Sequence, residues 1–227
     1  LIDLLHAAPD VELVAVFAPE HGVRGREDAG ADIGDTVDPS TRVPVLSIYG
    51  STRAPTPEML VGVDVVIYDL QDVGARYYTY VSTMGLSMQA ASRSGASFMV
   101  LDRPDVGGAV TVDGFVRDPS EESFVSQYPI PAQYAMTSGE LAGAIKGERW
   151  LDGLEGLNLT IIELDGYQRG MDWASLGREW IPPSPGLPSA EGALTYPSLV
   201  LFETVEMSVG RGTPGQFQLF GAPWIDA

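Results

Sequence analysis

Apolar residues along the chain fall into short, nearly continuous runs separated by stretches of helical periodicity. Residues 11–18 (VELVAVFA), 43–49 (VPVLSIY), 63–70 (VDVVIYDL) and 97–102 (SFMVLD) are rich in β-branched residues and poor in polar ones. A strand with one wet face alternates, whereas a strand covered on both faces does not. These runs therefore predict a parallel sheet with helices on both faces. Residues 157–164 predict a further strand, and 199–204 one more. Between the runs, Leu1, Leu4, Leu5 and Ala8 share one helical face. Thr56-Pro57-Glu58 supplies an N-cap, a first-turn proline and a first-turn acid. Residues 77–94 predict a longer helix stopped by Gly95. Thr137-Ser138-Gly139-Glu140 fits a capping box that opens a helix to about residue 151. The β-α-β-α-β order predicts an open α/β sheet with right-handed crossovers. Residues 165–198 are dominated by Gly and Pro, but Trp173, Trp180 and Tyr196 predict an ordered loop packed on the sheet rather than a flexible linker.

Composition narrows the function classes. Against 31 Asp and Glu stand 13 Lys and Arg, for a net charge of −18, and the only lysine is Lys146. Phosphate neutralisation needs clustered cations, so nucleic-acid binding is excluded and an anionic membrane surface disfavoured. Charged residues make up only 19% against 44% hydrophobic, which is the balance of a folded domain. With no cysteine and only His6 and His21, disulfides, thiolate zinc sites, a cysteine nucleophile and a multi-histidine metal site are excluded. No apolar run approaches the roughly 18–20 residues of a membrane span. Leu1 already lies in a mid-helix pattern, so sequence before residue 1 is expected.

In an open parallel sheet, ligands bind beyond the carboxyl ends of the strands. Those ends carry Glu20, His21 and Arg24 after the first strand, Asp69, Gln71, Asp72, Arg76, Tyr77 and Tyr78 after the third, and Asp102 and Arg103 after the fourth. If the strands are neighbours, carboxylates and arginines converge on one cleft, and the chemistry this supports is general acid–base work on a sugar. Glu20 is the best acid candidate, because it leaves an apolar strand and burial favours a protonated carboxyl. His21 can orient a partner or exchange a proton. Adjacent strand residues point to opposite faces, so both reach one cleft only if the chain bends, for which Pro19 and Gly22 are suited. The structural alternatives are helix capping by the acids, pairing of Arg76 and Arg103 with Asp72 and Asp102, and tyrosines packed in the core. A second cluster joins Glu203 and Glu206 to Gly210-Arg211-Gly212-Thr213, where glycines let amides and a guanidinium face a ligand together.

The segments Phe17-Ala18-Pro19-Glu20-His21-Gly22-Val23-Arg24-Gly25, Asp69-Leu70-Gln71-Asp72-Val73-Gly74-Ala75-Arg76-Tyr77-Tyr78-Thr79-Tyr80, Leu101-Asp102-Arg103-Pro104, Pro182-Pro183-Ser184-Pro185, Gly210-Arg211-Gly212-Thr213 and Phe220-Gly221-Ala222-Pro223-Trp224-Ile225-Asp226 occur in this order. Together they resemble the exo-β-N-acetylmuramidase family of glycoside hydrolases. The resemblance covers nearly the whole chain. It implies a Rossmann-like α/β domain over residues 1–164, its N-terminal strand missing, followed by a Pro/Gly-rich loop and the beginning of a smaller, truncated C-terminal domain over 165–227. It also implies release of terminal N-acetylmuramic acid from the non-reducing end of peptidoglycan fragments, without metal or organic cofactor. A secreted or cell-envelope location is favoured by the same resemblance, with the cytoplasm left open. By position, Glu20 is the candidate acid, with His21, Asp72 and Glu203 assisting. Arg24, Gln71, Arg76, Tyr77, Tyr78, Asp102, Arg103 and Arg211 are candidates to bind the sugar. Because that sugar carries a lactyl carboxylate, Arg24, Arg76, Arg103 and Arg211 are the available bidentate forks. Tyr134 and Glu206 stand where the family usually has a histidine and a neutral amide. Two alternatives remain: a divalent-metal hydrolase using Asp69, Asp72 and Asp102, and a non-catalytic module that binds cell-wall sugars.

Overall fold

The computed structural model describes residues 1–23, 27–31 and 34–225. Its strands are β1 (Val16–Ala18), β2 (Thr36–Val37), β3 (Pro44–Ser47), β4 (Val65–Tyr68), β5 (Ser97–Leu101), β6 (Val112–Asp113), β7 (Gln133–Tyr134) and β8 (Leu159–Ile162). Its helices are α1 (Ile2–Ala7), α2 (Tyr80–Ser94), α3 (Ser138–Gly147) and α4 (Ala190–Leu199). The fold is α/β with mainly parallel strands, as the apolar runs predict. The strands are divided, however, into two three-stranded sheets, β1-β3-β2 and β4-β5-β8, with β6-β7 as a separate pair. All the pairs within β4-β5-β8 are parallel, and so is β1 with β3. No helix among the described residues is long and apolar enough to cross a membrane.

Register explains the main core. Val66, Phe98 and Leu159 lie side by side across the larger sheet, as do Tyr68, Val100 and Ile161. Side chains two apart on a strand share a face, so these six form one surface. Most of them join Val81, Met84 and Met88 of α2 and Leu141, Ala142 and Ile145 of α3 in the main apolar cluster. Gly85 of α2 is essential to that packing, because a Cβ there would lie 1.9 Å from the Tyr128 hydroxyl oxygen. Tyr128 uses the space to donate to the Val81 carbonyl at 3.1 Å.

Most predicted elements form, with shifted ends. Residues 11–15 make no strand pairing, so β1 keeps only the last three residues of its predicted run. Gly95 ends α2 at φ 76°, its N–H donating to the Ala91 and Ser92 carbonyls. The Thr137–Glu140 capping box is present, but α3 stops at Gly147 because Arg149 turns left-handed at φ 55°. Residues 199–204 do not form the predicted strand. They close α4 and continue as a 3-10 turn, Val200–Thr204. Ser189 caps α4 by accepting the Gly192 N–H at 3.1 Å. Ala193, Tyr196 and Val200, at helical spacing, then pack on a second apolar cluster with Leu187 and Phe217. The Gly/Pro-rich segment is ordered, as its aromatics predict. Trp173 and Trp180 meet edge to face, and the Trp180 indole donates to the Leu187 carbonyl at 2.9 Å.

Candidate active site

Beyond β1 the chain bends sharply. The Gly22 N–H donates to the Pro19 carbonyl at 3.0 Å, and His21 and Gly22 are both left-handed, at φ 69° and 71°. This conformation costs a non-glycine residue about 1 kcal/mol or more, and histidine is among the residues that tolerate it. Two such residues in succession cancel the alternation of the strand, so Glu20 and His21 both line one cleft. The His21 Nδ1–H donates to the Glu27 carbonyl at 2.8 Å, leaving Nε2 as the second polar edge of the ring.

Glu20 is 7% exposed, and both its carboxylate oxygens are fixed. Oε1 accepts from the Gly30 N–H at 3.0 Å and the Tyr49 hydroxyl at 2.9 Å, while Oε2 accepts from the Thr79 hydroxyl at 2.5 Å. Tyr49 is itself held under the Arg53 guanidinium, 4.2 Å from the ring centroid. A carboxyl gripped at both oxygens has a defined direction, as proton transfer to a bound group requires.

The facing wall comes from distant sequence. The Tyr80 hydroxyl donates to the Pro183 carbonyl at 2.8 Å and so ties the proline-rich segment to the start of α2. Tyr78 packs edge to face on Tyr80 and Tyr196, and Tyr196 on Phe217. Ser184, Gly186, Glu203 and Arg211 complete the wall around a cavity of about 190 Å³. That lies below the roughly 300–1,000 Å³ of sites that enclose drug-sized ligands, and suits one small ring.

Of the residues expected at the site, the cleft brings together Glu20, His21, Tyr77, Tyr78, Glu203 and Arg211. The other described ones lie elsewhere. Arg103 donates to Asp69 through Nε at 2.9 Å and Nη2 at 2.6 Å. Asp102 is occupied at the start of α3, accepting from the Thr137 hydroxyl at 2.8 Å and the Gly139 N–H at 2.6 Å. Arg76 is buried and donates to the Phe115 and Ile130 carbonyls. Gln71 donates to the Asp72 and Pro104 carbonyls at 2.7 and 2.9 Å. Asp72 is buried, accepting from the Gly74 N–H at 2.8 Å and from the Tyr134 hydroxyl. Its carboxyl is pushed up to about 6, chiefly by burial, with Asp105 adding to the rise and the Tyr134 and Gly74 hydrogen bonds opposing it. Arg24 lies outside the described residues.

The convergence of three strand ends therefore gives way to two, those of β1 and β4, joined by the C-terminal segment, and the expected ring of arginines to Arg211, the only arginine lining the cleft among the described residues. Arg211 Nε donates to Glu203, and its guanidinium lies 5.3 Å from the Phe217 ring centroid. Asp69, Asp72 and Asp102, the trio of the metal-hydrolase alternative, face separate protein donors. No three His, Asp or Glu among the described residues are placed to hold a metal ion. Neither Tyr134 nor Glu206 lines the cleft: Tyr134 is buried on Asp72, and Glu206 is exposed outside it.

Sequence reasoning missed Tyr49, Thr79 and Ser184. Thr79 and Ser184 stand inside motifs quoted above, and only the choice of residues within them went astray. Tyr49 carries no signal beyond its place just after a strand.

This arrangement belongs to a known group of proteins. The N-terminal model of the exo-beta-N-acetylmuramidase NamZ matches residues 1–191, and its C-terminal model matches residues 194–227. A Bacillus subtilis (strain 168) protein, peptidoglycan beta-N-acetylmuramidase NamZ, is 44% identical over 224 residues, or 99% of this chain and 53% of the relative. A crystal structure of a DUF1343 family protein from Bacteroides fragilis superposes with a TM-score of 0.91 at 46% identity, covering 100% of this chain and 57% of that one. A second DUF1343 structure from the same organism gives 0.79 at 38% identity, over 94% and 55%. The chain thus spans about half the length of the relatives it matches. Matched by both family models from its first residue to its last, it belongs to the NamZ family of exo-β-N-acetylmuramidases.

Proposed function

We propose that the protein is a glycoside hydrolase that releases terminal N-acetylmuramic acid from the non-reducing end of peptidoglycan fragments. The observation that carries this is Glu20, a buried carboxyl aimed into a small cleft by three hydrogen-bond donors. Glu20 serves as the general acid that protonates the glycosidic oxygen, and His21 Nε2 is a second polar edge on the same bend. Tyr77, half-buried in the wall of the cleft, supplies apolar surface for a sugar ring. The Bacillus subtilis relative, a peptidoglycan beta-N-acetylmuramidase, supports the same substrate class.

The test is hydrolysis of a chromogenic β-N-acetylmuramide. Turnover is expected, and it should survive EDTA unchanged, because the strand-end aspartates are engaged by Arg103, Tyr134 and Thr137 rather than grouped around a common point. Loss of turnover on chelation, restored by Mg²⁺, would overturn the glycosidase assignment in favour of metal-assisted hydrolysis.

A further inference from the structure

Glu20 owes part of its fixed direction to residues outside the lining of the cleft. β1 and β3 are parallel neighbours with Ala18 opposite Ser47, so Glu20 and Tyr49, each two residues further on, leave adjacent strand ends on the same face. This register brings the Tyr49 hydroxyl to Glu20 Oε1. The Ser47 hydroxyl fixes the Tyr49 backbone, donating to its carbonyl at 3.1 Å. Burial is the main influence that holds the Tyr49 phenol above its ordinary value, with Arg53 opposing the rise and Glu20 adding to it. The phenol therefore keeps its proton and donates to the carboxyl. Arg53, four residues on, turns back over the ring. Its guanidinium lies 4.2 Å from the Tyr49 ring centroid and 4.7 Å from that of Phe124, in the corner between two rings tilted by 50°. Phe124 belongs to a turn closed by the Ser126 N–H, which donates to the Ser123 carbonyl at 3.0 Å, and Val125 of that turn lines the cleft. Arg53 itself is exposed and joins none of the ion pairs formed among the described residues.

A cation over the face of an aromatic ring is attracted by the ring's quadrupole and draws electron density from it. On a phenol this has two effects. The ring is pinned in place, and its hydroxyl becomes a stronger donor to a carboxylate. We propose that Arg53 is a positioning residue for Glu20 and acts through Tyr49, with Phe124 keeping the guanidinium over the ring. Arg53 touches neither the acid nor the cavity, so its influence falls on the direction of the carboxyl and not on the grip on a sugar. This rests on the reading of Glu20 as the acid given above, and names the groups that hold it.

Because Arg53 is exposed, its replacement should leave the fold intact. Arg53→Met should lower kcat on the chromogenic β-N-acetylmuramide roughly 10-fold while KM stays within about 2-fold of wild type. Arg53→Lys, which keeps a cation near the rings, should restore part of the loss. In a Tyr49→Phe background the hydroxyl is gone, and there Arg53→Met should cost less than about 2-fold more. Carbon-13 NMR of protein labelled at the glutamate carboxyls gives a readout without turnover, the Glu20 signal being identified by its loss in Glu20→Gln. Tyr49→Phe and Arg53→Met should both move that signal, and Arg53→Lys should bring it back towards wild type. An undiminished loss of kcat when Arg53→Met is added to Tyr49→Phe would overturn the proposal. So would a rise in KM with kcat unchanged, which would mean that Arg53 supports the Val125 wall instead. So would a Glu20 signal that Tyr49→Phe moves and Arg53→Met leaves in place. A wild type that fails to hydrolyse the muramide would overturn the activity proposed above, and the Glu20 signal would still decide for or against Arg53.

Discussion

Replacing Glu20 with Gln should lower kcat on a chromogenic β-N-acetylmuramide by about 10³-fold, within the 10²–10⁴ range of a positioned general acid. The substitution is close to isosteric, and the surroundings can accept it. Oε1 receives the Gly30 N–H and the Tyr49 hydroxyl, and a glutamine oxygen receives the same two. At Oε2 the Thr79 hydroxyl now donates. Facing an amide nitrogen, it can turn and accept instead. The fold should therefore be retained, with a melting temperature within a few degrees of wild type, while the group able to give up a proton is gone. Wild-type kcat in Glu20→Gln would place the acid elsewhere.

The second large effect concerns stability and pH. Asp72 is fully enclosed, and one of its carboxylate oxygens has no hydrogen-bond partner. Burial raises its folded-state value to about 6, against about 3.9 for an unfolded aspartate. A raised folded value means that the folded protein keeps the proton longer. The group's contribution is therefore full below about pH 4 and is lost as pH rises through about 6. Two units correspond to roughly 3 kcal/mol. Urea unfolding of wild type and Asp72→Asn at pH 4 and pH 7 isolates this group. The difference in stability should shift in favour of Asp72→Asn by roughly 2–3 kcal/mol on going to pH 7. An equal difference at both pH values would show that Asp72 titrates alike in the folded and unfolded chain. The same burial explains why Asp72, expected beside the sugar, belongs to the support behind the cleft, where Tyr134 anchors it.

What could be read from sequence follows from which interactions are local. Capping at Thr137 and the glycine stop at Gly95 depend on residues within one turn, and both form as predicted. The bend at His21 and Gly22 was legible for the same reason. Residues 199–204 misled because β-branched and aromatic side chains serve a partly buried helix end as well as a strand. Their contacts with Leu187 and Phe217 are set by tertiary packing. The arginines misled more. Arg76 and Arg103 follow strand ends, as site residues do, but distant backbone carbonyls at Phe115 and Ile130 and the carboxylate of Asp69 claim them. No spacing in the sequence announces such partners. The cleft's own positive charge sits instead on Arg211, more than a hundred residues from the strand ends it faces.

The most direct test of the account is a structure of the protein with N-acetylmuramic acid bound. It should show the ring in the cleft, the Glu20 carboxyl within roughly 2.6–3.2 Å of the anomeric oxygen, and the lactyl carboxylate on Arg211. A sugar seated instead beside the Asp69–Arg103 pair, with Glu20 touching no sugar oxygen, would contradict it.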